Sequence, residues 1–510
     1  MHKLLWHEVA GFASRTPHHP AILSDDGTIT YAELVALATE RAGQLAAAGV
    51  AGGDRVALVA ANSPHYLVWA FAVWRAGAVL ATVYPESSDG ELDYILSNAR
   101  PSCIVADAPR TGVVTDAVAR SGRPIGVYTL DAVGEAAGLP PGGPLPELDL
   151  DPDAVAFICY TSGSSAAPKP VAHSHRGLAA GCRTYARAWR MTRTDRTLVC
   201  LPMAWIYGLL SASLVTLVAG GTVVPLARFN PVRVIDAIER HGITLFPGVT
   251  TMYVKIVSYL KEAQRRPQLG SLRFNVSGGE PRNEAVFDEW VALGGLPVLD
   301  SYCASECLPA ITYDPAVDPE PRRGSAGRVV PGAAMKVVDQ EGAPVPAGQV
   351  GLALWRSPGM MVGYWNEPEL TAEAMTPDGW YKTGDYVRVD DDGYVFIVGR
   401  ATDMIIYGGS NVSPVEVEAA LTSDPRIAEA AVVGLPDREY GQIVAAAVVT
   451  SDGSRLSEDE LTLLCAARLA VYKIPKVFVQ VNALPRGATG KIKRRDAVAL
   501  FQPVGRGAAA

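Results

Sequence analysis

Short apolar runs along the chain alternate with longer segments in which apolar residues recur at helical spacing. The runs are mostly aliphatic, without alternating polar residues, which is typical of strands buried on both faces of a sheet. The alternation predicts parallel sheets with helices packed against them. In the first part of the chain the predicted strands are 55–60, 78–83, 103–106 and 154–159, and the predicted helices are 31–48, 66–76 and 92–98.

A different pattern follows further along the chain. Strand signals cluster at 329–338 and 350–356, and a hairpin near 386–398 is predicted to turn at an Asp-Asp-Gly sequence. A domain boundary is predicted after Arg400, because the remaining residues are typical of a small α+β domain. Its predicted elements are a helix at 415–421, strands at 427–433 and 443–449, a helix at 458–469 and a strand at 477–481.

The segment 201–227 contains no charged residue and is long enough to cross a bilayer. Prolines and glycines interrupt it, at positions such as Pro202, Gly208 and Gly220. This punctuation favours a loop, a buried helix at 209–218 and a buried strand at 222–226. No membrane span is therefore predicted.

Composition narrows the class of protein. The chain has 510 residues, more than the roughly 250–300 at which single hydrophobic cores stop growing, so several cores are expected. The net charge of −8, without a basic stripe carrying interleaved aromatic residues, disfavours nucleic-acid binding. Seven scattered cysteines without a Cys-x-x-Cys pair, and an N-terminus unlike a signal peptide, predict a cytoplasmic protein with reduced thiols.

The segment 160–171 carries the clearest chemical signal. A run of small hydroxyl residues and glycine precedes a lysine, a combination that binds polyphosphate through backbone N–H groups, hydroxyls and one positive charge. The spacing is not that of a Walker loop. The candidate phosphate-binding residues are Thr161, Ser162, Gly163, Ser164, Ser165 and Lys169.

This segment resembles the phosphate loop of the acyl-CoA synthetase, adenylation-domain and luciferase superfamily, whose pattern is Tyr-Thr-Ser-Gly-Thr-Thr-Gly-x-Pro-Lys-Gly. Further motifs similar to those of the family follow in the family's order and cover nearly the whole chain. They lie at 202–208, 277–281, 300–306, 379–385, 399–400, 404–418 and 484–495.

The resemblance implies an α/β fold with two domains. The N-terminal domain, over 1–401, would bind AMP and the acyl group and contain parallel-rich sheets, flanking helices and a β-barrel-like subdomain. The C-terminal domain, over 402–510, would be a mobile lid with its hinge near Thr402. Family members usually have Asp or Lys at that position.

The family's site residues carry over to matching positions of this sequence. By the resemblance, Lys491, Glu306, Ser305 and Trp205 are the catalytic candidates, and Glu306 would bind Mg²⁺. The other candidate nucleotide-binding residues are Gly278, Gly279, Glu280, Ser301, Tyr302, Cys303, Asp385, Ile397 and Arg400. Tyr407, Gly408 and Gly409 would contact CoA, and Tyr207, Phe246, Gly248, Thr250 and Thr251 would line the acyl pocket.

The implied activity is formation of an acyl-CoA from a carboxylic acid, ATP and CoA through an acyl-AMP, with a weak lean toward benzoate-like or other cyclic acids. Ala166 and Pro170 replace two glycines of the family's phosphate loop. Loss of backbone freedom and of one N–H donor there predicts that the adenylation half is weak or lost, whereas acyl-AMP still reacts with CoA. A separate adenylating enzyme would then supply the acyl-AMP.

Two alternatives remain open at this point. One is a stand-alone adenylation enzyme that loads a carrier protein, which would be a separate protein because no carrier domain follows Arg495. The other is a non-catalytic ligand-binding relative. The acid and the oligomeric state are not predicted.

Overall fold

Three β-sheets organise the computed structural model, which describes residues 4–145, 147–161, 168–408, 410–486 and 492–501. The largest sheet in these ranges has a parallel half and an antiparallel half. Parallel pairing links the strands Pro20–Ser24, Thr222–Pro225, Arg196–Val199, Leu245–Gly248, Phe274–Gly278 and Val298–Ala304. Antiparallel pairing adds Gly27–Thr30 at one edge and, at the other, Cys307–Thr312, Gly327–Val329, Tyr394–Arg400, Tyr381–Val389, Val350–Arg356 and Ala334–Val338, with Gly359–Met360 beside Cys307–Thr312.

The second sheet is formed mostly by the N-terminal half of the chain. Its central strands are parallel, and the strand Lys169–Ser174, which follows the phosphate-loop segment, runs antiparallel to Val155–Thr161, which precedes it. In order, its strands are Gly363–Tyr364, Lys169–Ser174, Val155–Thr161, Val79–Val83, Arg55–Val59, Cys103–Asp107, Gly126–Leu130 and Ala136–Ala137. The third sheet contains Ser410–Val412, Ile405–Tyr407, Gly441–Thr450, Ile427–Asp437 and Val477–Gln480.

Helices cover the faces of the sheets, and polar residues fix where several of them begin. Thr30 and Ser88 each form a capping box with a glutamate three residues later, which satisfies N–H groups that a helix start leaves unpaired. The described helices are Leu5–Arg15, Tyr31–Ala47, Pro64–Arg75, Asp89–Ala99, Ala108–Ser121, His175–Ala188, Tyr207–Leu214 (a π-helix), Val215–Val218, Pro231–His241, Thr250–Glu262, Glu284–Ala292, Pro368–Ala374, Pro414–Leu421, Glu458–Ala466, Arg494–Ala497 and the 3₁₀ turns Val471–Lys473 and Val498–Phe501.

The main hydrophobic core lies between the two large sheets. The helix Pro64–Arg75 runs through it and buries nine consecutive side chains, which explains why its sequence is apolar on every face. Trp74 donates its indole N–H to the carbonyl of Ala156 at 2.9 Å, so that the ring is both packed and hydrogen-bonded. This helix fixes the strand that leads into the phosphate-loop segment.

The predicted α/β class is confirmed, with parallel-rich sheets, flanking helices and a smaller α+β part at the C-terminus. The residues of the expected barrel-like subdomain form the antiparallel half of the large sheet, and the strand pairings in the described ranges do not close into a barrel. Several helices were absent from the sequence prediction, among them Ala108–Ser121, His175–Ala188 and Pro231–His241.

The charge-free segment 201–227 forms buried elements, as predicted. The helices Tyr207–Leu214 and Val215–Val218 are followed by the strand Thr222–Pro225, and all four of the strand's residues are buried. In the described ranges, no helix combines the length and apolar character that crossing a membrane requires.

Candidate functional site

The turn at 277–281 follows a parallel strand at the carboxyl edge of the large sheet, where ligands of such sheets commonly bind. Gly278 lies opposite Ser301 in the neighbouring strand. A Cβ atom at Gly278 would lie 2.6 Å from the Ser301 carbonyl oxygen, so only glycine fits without a backbone shift. Gly279 has a φ of +79°, in the left-handed region that favours glycine. The two glycines leave a bare backbone surface that suits a flat ring.

The Glu280 side chain faces the helix Thr250–Glu262. Its Oε2 atom accepts hydrogen bonds from the backbone N–H and the hydroxyl of Thr251, at 2.8 and 2.6 Å. The Thr250 hydroxyl donates to the carbonyl oxygen of Pro281 at 2.8 Å. The hydroxyls of Thr250 and Thr251, which the resemblance assigns to the acyl pocket, therefore hold the glycine turn in place.

Asp385 and Arg400 lie opposite each other on adjacent antiparallel strands, and Arg400 Nε is 3.3 Å from Asp385 Oδ1. Tyr302 donates its hydroxyl to the other carboxylate oxygen. Burial raises the pKa of Asp385, although the positive charge of Arg400 opposes that effect. The Arg400 side chain is 63% exposed, so its guanidinium remains open to a ligand.

The backbone around Asp385 is fixed on both sides. Gly384 has a φ of +70°, and the Asp385 N–H donates to the hydroxyl of Thr383 at 2.9 Å. That hydroxyl donates in turn to the carbonyl of Ala353 at 3.0 Å. Ile397, another predicted nucleotide contact, lies half-buried on the neighbouring strand opposite Val387. These backbone and hydroxyl contacts fix the direction in which the Asp385 carboxylate points.

The strand Val298–Ala304 carries Ser301, Tyr302 and Cys303. The hydroxyls of Tyr185 and Ser301 are 3.2 Å apart, and Tyr185 also contacts Cys303. Cys303, which takes the place of a glycine in the family motif, also lies close to Tyr207. The structure thus places the acyl-pocket candidate Tyr207 next to a strand that carries three nucleotide-binding candidates.

Glu306 lies at the turn that follows this strand and is buried. Its Oε1 atom accepts the hydroxyl of Tyr364 at 2.7 Å. His173 lies 2.7 Å from the carbonyl of the preceding Ser305, and because a carbonyl only accepts, the ring nitrogen must donate. Burial lowers the pKa of His173 to about 4, so the ring is neutral near pH 7. The turn that carries Glu306 is therefore held at two points.

A divalent cation fits this turn only with further ligands. In the part of the chain that the structure describes, no group of three or more His, Cys, Asp or Glu side chains could hold a metal. Mg²⁺ commonly binds through one or two carboxylates together with substrate phosphates and water. A single buried carboxylate next to the phosphate-loop strands suits that mode. Half-buried Lys169, in register with Thr161, contributes positive charge from the adjacent strand.

The expected acyl side of the site is aromatic. The ring of Trp205 lies over that of Tyr84 with centroids 4.7 Å apart, and the hydroxyl of Tyr207 donates to the carbonyl of Gly248 at 3.1 Å. The Phe246 ring is fully buried against Tyr253. The turn that carries Trp205 is anchored through the side chain of Asn62, which accepts from the N–H of Met203 and donates to the carbonyl of Leu201.

Residues near the predicted hinge connect the large sheet to the third sheet. Ala401 N–H donates to the carbonyl of Gly384 at 2.8 Å, whereas Asp403 and Met404 donate to the carbonyl of Arg400. Thr402 between them is exposed. The hydroxyl of Ser413 donates to the carbonyl of Val398, a further contact across this junction.

Tyr407 and Gly408 lie at the end of a strand in the third sheet. The Tyr407 ring stacks on Tyr440 with centroids 4.6 Å apart and ring planes 10° apart. Gly408 has a φ of +55° and donates its N–H to the carbonyl of Tyr440 at 2.9 Å. The predicted site residues Ser162, Gly163, Ser164, Ser165, Gly409 and Lys491 lie outside the described residues.

Sequence reasoning missed Tyr364, His173 and the pair formed by Arg494 and Glu418. Arg494 donates to both carboxylate oxygens of buried Glu418, at 2.9 and 2.6 Å. Each of these residues acts on a partner more than fifty positions away along the chain, so no local spacing points to it.

Comparison with known proteins gives a consistent picture. A model of the "AMP-binding enzyme" family matches residues 9–365, and a model of the "AMP-binding enzyme C-terminal domain" matches 416–491. A feruloyl-CoA synthase from an Amycolatopsis species is 34% identical over 484 residues, covering 95% of this chain and 96% of the relative.

Solved structures agree over nearly the whole chain. The ATP-bound MatB of Rhodopseudomonas palustris is 32% identical, with a TM-score of 0.91 over 99% of this chain and 100% of that one. The same protein without ligand gives 0.81 over the same shares. The o-succinylbenzoate CoA synthetase (MenE) of Bacillus subtilis in complex with its acyl-adenylate is 30% identical, with a TM-score of 0.84 over 97% of this chain and 98% of that one.

Proposed function

Because the chain belongs to the AMP-binding enzyme family, we propose that it is an acyl-CoA ligase that converts a carboxylic acid, ATP and CoA into an acyl-CoA through an acyl-adenylate. The observation that carries the proposal is the pairing of Asp385 with Arg400 beside Tyr302. A buried carboxylate can accept both hydroxyls of a ribose, and the exposed guanidinium next to it suits a phosphate. ATP and CoA as substrates favour a cytoplasmic enzyme.

Each part of the nucleotide has a candidate partner. The bare backbone at Gly278 and Gly279 would face adenine, and Lys169 would face the phosphates. Mg²⁺ at Glu306 would neutralise charge on the phosphate oxygens. Lys491 would bring a second positive charge to the reacting carboxylate and the α-phosphate. Catalysis of this kind depends mainly on alignment and charge neutralisation.

The second half-reaction requires a change of domain position. We place the boundary at 401/402, with Thr402 as the hinge, because Ala401 bonds to the large sheet and the next residues lead into the third. Rotation there would break the contact between Ser413 and Val398 and bring Tyr407, Gly408 and Gly409 toward CoA. This chain is more similar to ATP-bound MatB, with a TM-score of 0.91, than to apo MatB, with 0.81, so the two MatB structures differ from each other, which supports a fold with more than one arrangement.

For the acid, we propose a benzoate-like or other cyclic carboxylic acid. Half-buried Tyr207 lies close to Cys303, and half-buried Trp205, two positions earlier, adds a second aromatic ring. The feruloyl-CoA synthase and the o-succinylbenzoate CoA synthetase among the relatives are named for aromatic acids, which favours this class.

We further propose that adenylation is the slower half-reaction. Pro170 lies in the strand after the phosphate loop, pairs with Tyr160 and has no N–H to donate. Its carbonyl accepts from Trp365 N–H at 2.7 Å, which fixes the strand on its other side as well. A phosphate loop with two fewer glycines would bind pyrophosphate weakly, whereas the AMP part of the site would be unaffected.

The test compares two starting points in the same enzyme. Acyl-CoA formation is measured from synthetic benzoyl-AMP with CoA, and from benzoate with ATP and CoA. We expect acyl-AMP to react at least tenfold faster, and Ala166→Gly combined with Pro170→Gly to raise the rate of ATP–pyrophosphate exchange. Equal rates from both starting points would overturn the claim about the half-reactions and leave the ligase assignment intact.

Two further results would overturn the assignment itself. Transfer of the acyl group to a carrier protein but not to CoA would identify the stand-alone adenylation enzyme. Binding of AMP without any thioester formation, across a panel of cyclic and linear acyl-adenylates, would identify a non-catalytic relative.

A further inference from the structure

Tyr364 lies where the phosphate-loop strands meet the turn that carries Glu306. The short strand Gly363–Tyr364 pairs with Lys169–Ser174, and the Tyr364 N–H donates to the hydroxyl of Thr371 at 2.9 Å. A Cβ atom at Gly363 would lie 3.0 Å from the Thr371 side chain, so this segment packs closely on the helix that follows it. The strand pairing and the bond to Thr371 hold the Tyr364 backbone from two sides, and the residue is only 4% exposed.

The hydroxyl of Tyr364 orients Glu306. It donates to Oε1 at 2.7 Å, a normal length for a hydrogen bond from a hydroxyl to a carboxylate. The bond fixes the rotation of the carboxyl group and directs its second oxygen. Because Mg²⁺ demands near-ideal octahedral geometry, the direction of a carboxylate ligand affects how well the cation binds.

The ring of the same residue supports Lys169. The ammonium nitrogen of Lys169 lies 5.4 Å from the Tyr364 ring centroid, within the range of a cation–π interaction. One rigid side chain thus contacts the candidate metal ligand with its hydroxyl and the candidate phosphate-binding lysine with its ring.

We propose that Tyr364 is a positioning residue that sets Lys169 and Glu306 at a fixed separation, so that the lysine and the Glu306-bound Mg²⁺ engage one triphosphate together. This inference rests on the proposed function and extends it to a residue that none of the motifs named above includes. Small displacements matter here, since misplacing a reacting or bridging group by about 1 Å can cost on the order of 100-fold in rate.

The two contacts can be separated by substitution in the full-length chain. Tyr364→Phe removes the hydroxyl and keeps the ring, whereas Tyr364→Leu removes both. The control is Tyr313→Phe, which removes another buried hydroxyl outside the proposed site. That hydroxyl lies 3.2 and 3.3 Å from the carbonyl oxygens of Ser325 and Arg322 and accepts the Arg322 N–H at 3.1 Å. Mn²⁺ serves as the metal probe, because its binding in the presence of ATP can be followed by electron paramagnetic resonance as well as by activity.

For Tyr364→Phe we expect the half-saturating Mn²⁺ concentration with ATP to rise about fivefold to tenfold, with the affinity for AMP unchanged. For Tyr364→Leu we expect that rise together with an ATP KM about tenfold higher. Tyr313→Phe should match the unsubstituted chain in all three measurements.

An unchanged Mn²⁺ half-saturation in Tyr364→Phe would overturn the inference, as would an equal loss of AMP affinity, which would indicate a general disturbance of the site. If Tyr364→Leu does not fold, the comparison of Tyr364→Phe with Tyr313→Phe still decides. Failure of the unsubstituted chain to bind AMP or Mn²⁺–ATP would instead refute the proposed function, and the inference with it.

Discussion

Replacing Gly278 by alanine tests the proposed role of the turn at 277–281 in facing adenine, with a single added methyl group. The new Cβ would lie 2.6 Å from the Ser301 carbonyl oxygen, a backbone atom on a central parallel strand. Normal contact begins near 3.4 Å, so the two strands must separate by about 0.8 Å or the turn must shift by a similar amount. Overpacking of this kind costs about 1–3 kcal/mol in stability.

The effect on activity should exceed the effect on folding. The same shift moves the backbone proposed to face adenine, and a displacement close to 1 Å can lower the rate on the order of 100-fold. We therefore expect kcat/KM for benzoyl-AMP with CoA to fall roughly 10-fold to 100-fold, while urea unfolding shows a loss of about 1–3 kcal/mol. Stopped-flow thioester formation and equilibrium unfolding provide the two measurements.

Gly112→Ala is the matched control. Gly112 lies in the helix Ala108–Ser121, its φ is outside the left-handed region, and no atom lies within 4 Å of an added Cβ. This substitution should leave activity unchanged and raise stability by about 0.5–1 kcal/mol through helix propensity. If Gly278→Ala has the activity of the unsubstituted chain, the turn is not in contact with the nucleotide and the reasoning fails.

Three further substitutions probe other parts of the structure. Asp385→Asn keeps the size of the side chain but removes its charge, so AMP affinity measured by calorimetry should fall roughly tenfold or more, and a change below twofold would contradict the ribose role. Burial lowers the pKa of His175 to about 4 from 6.5, so this side chain is protonated in the unfolded chain before it is protonated in the folded one as pH falls. The free energy of unfolding should therefore drop by about 2 kcal/mol between pH 7 and 5, and the loss should be complete below pH 4. His175→Phe should reduce this pH dependence in urea unfolding. Glu418→Gln breaks the buried pair with Arg494 and should destabilise the C-terminal part by about 3 kcal/mol. Glu460→Gln removes an exposed ion pair, while glutamine can still accept the capping bonds from Ser457, so it should change little; equal losses would show that burial is not the cause.

The sequence predicted the fold class because aliphatic runs of strand length alternate with helical segments, as at Arg55–Val59 and Pro64–Arg75. It missed the helix His175–Ala188, because arginines and small residues separate the few apolar residues that pack on the core. Helix ends were placed to within a few residues, since capping residues such as Ser88 lie outside the apolar pattern.

Residues of the candidate site that lie in local motifs could be named from the sequence, whereas contacts that only the tertiary fold creates could not. Asp385 and Arg400 occur in local motifs, and strand pairing places them opposite each other. Thr251, assigned to the acyl pocket, turned out to bond Glu280, because only the tertiary fold brings a helix start against that turn. Tyr364 reaches Glu306 across 58 positions of sequence, a contact that no periodicity can indicate.

The central claim is that the carboxylate attacks ATP to give an acyl-adenylate before CoA reacts. The most direct measurement uses benzoate labelled with ¹⁸O in both carboxylate oxygens, with ATP, Mg²⁺ and CoA, and follows the label by mass spectrometry. We predict benzoyl-CoA with one ¹⁸O and AMP with one ¹⁸O, because the bridging oxygen leaves with the phosphate. Release of ADP, label in inorganic phosphate, or unlabelled AMP alongside benzoyl-CoA would contradict the account.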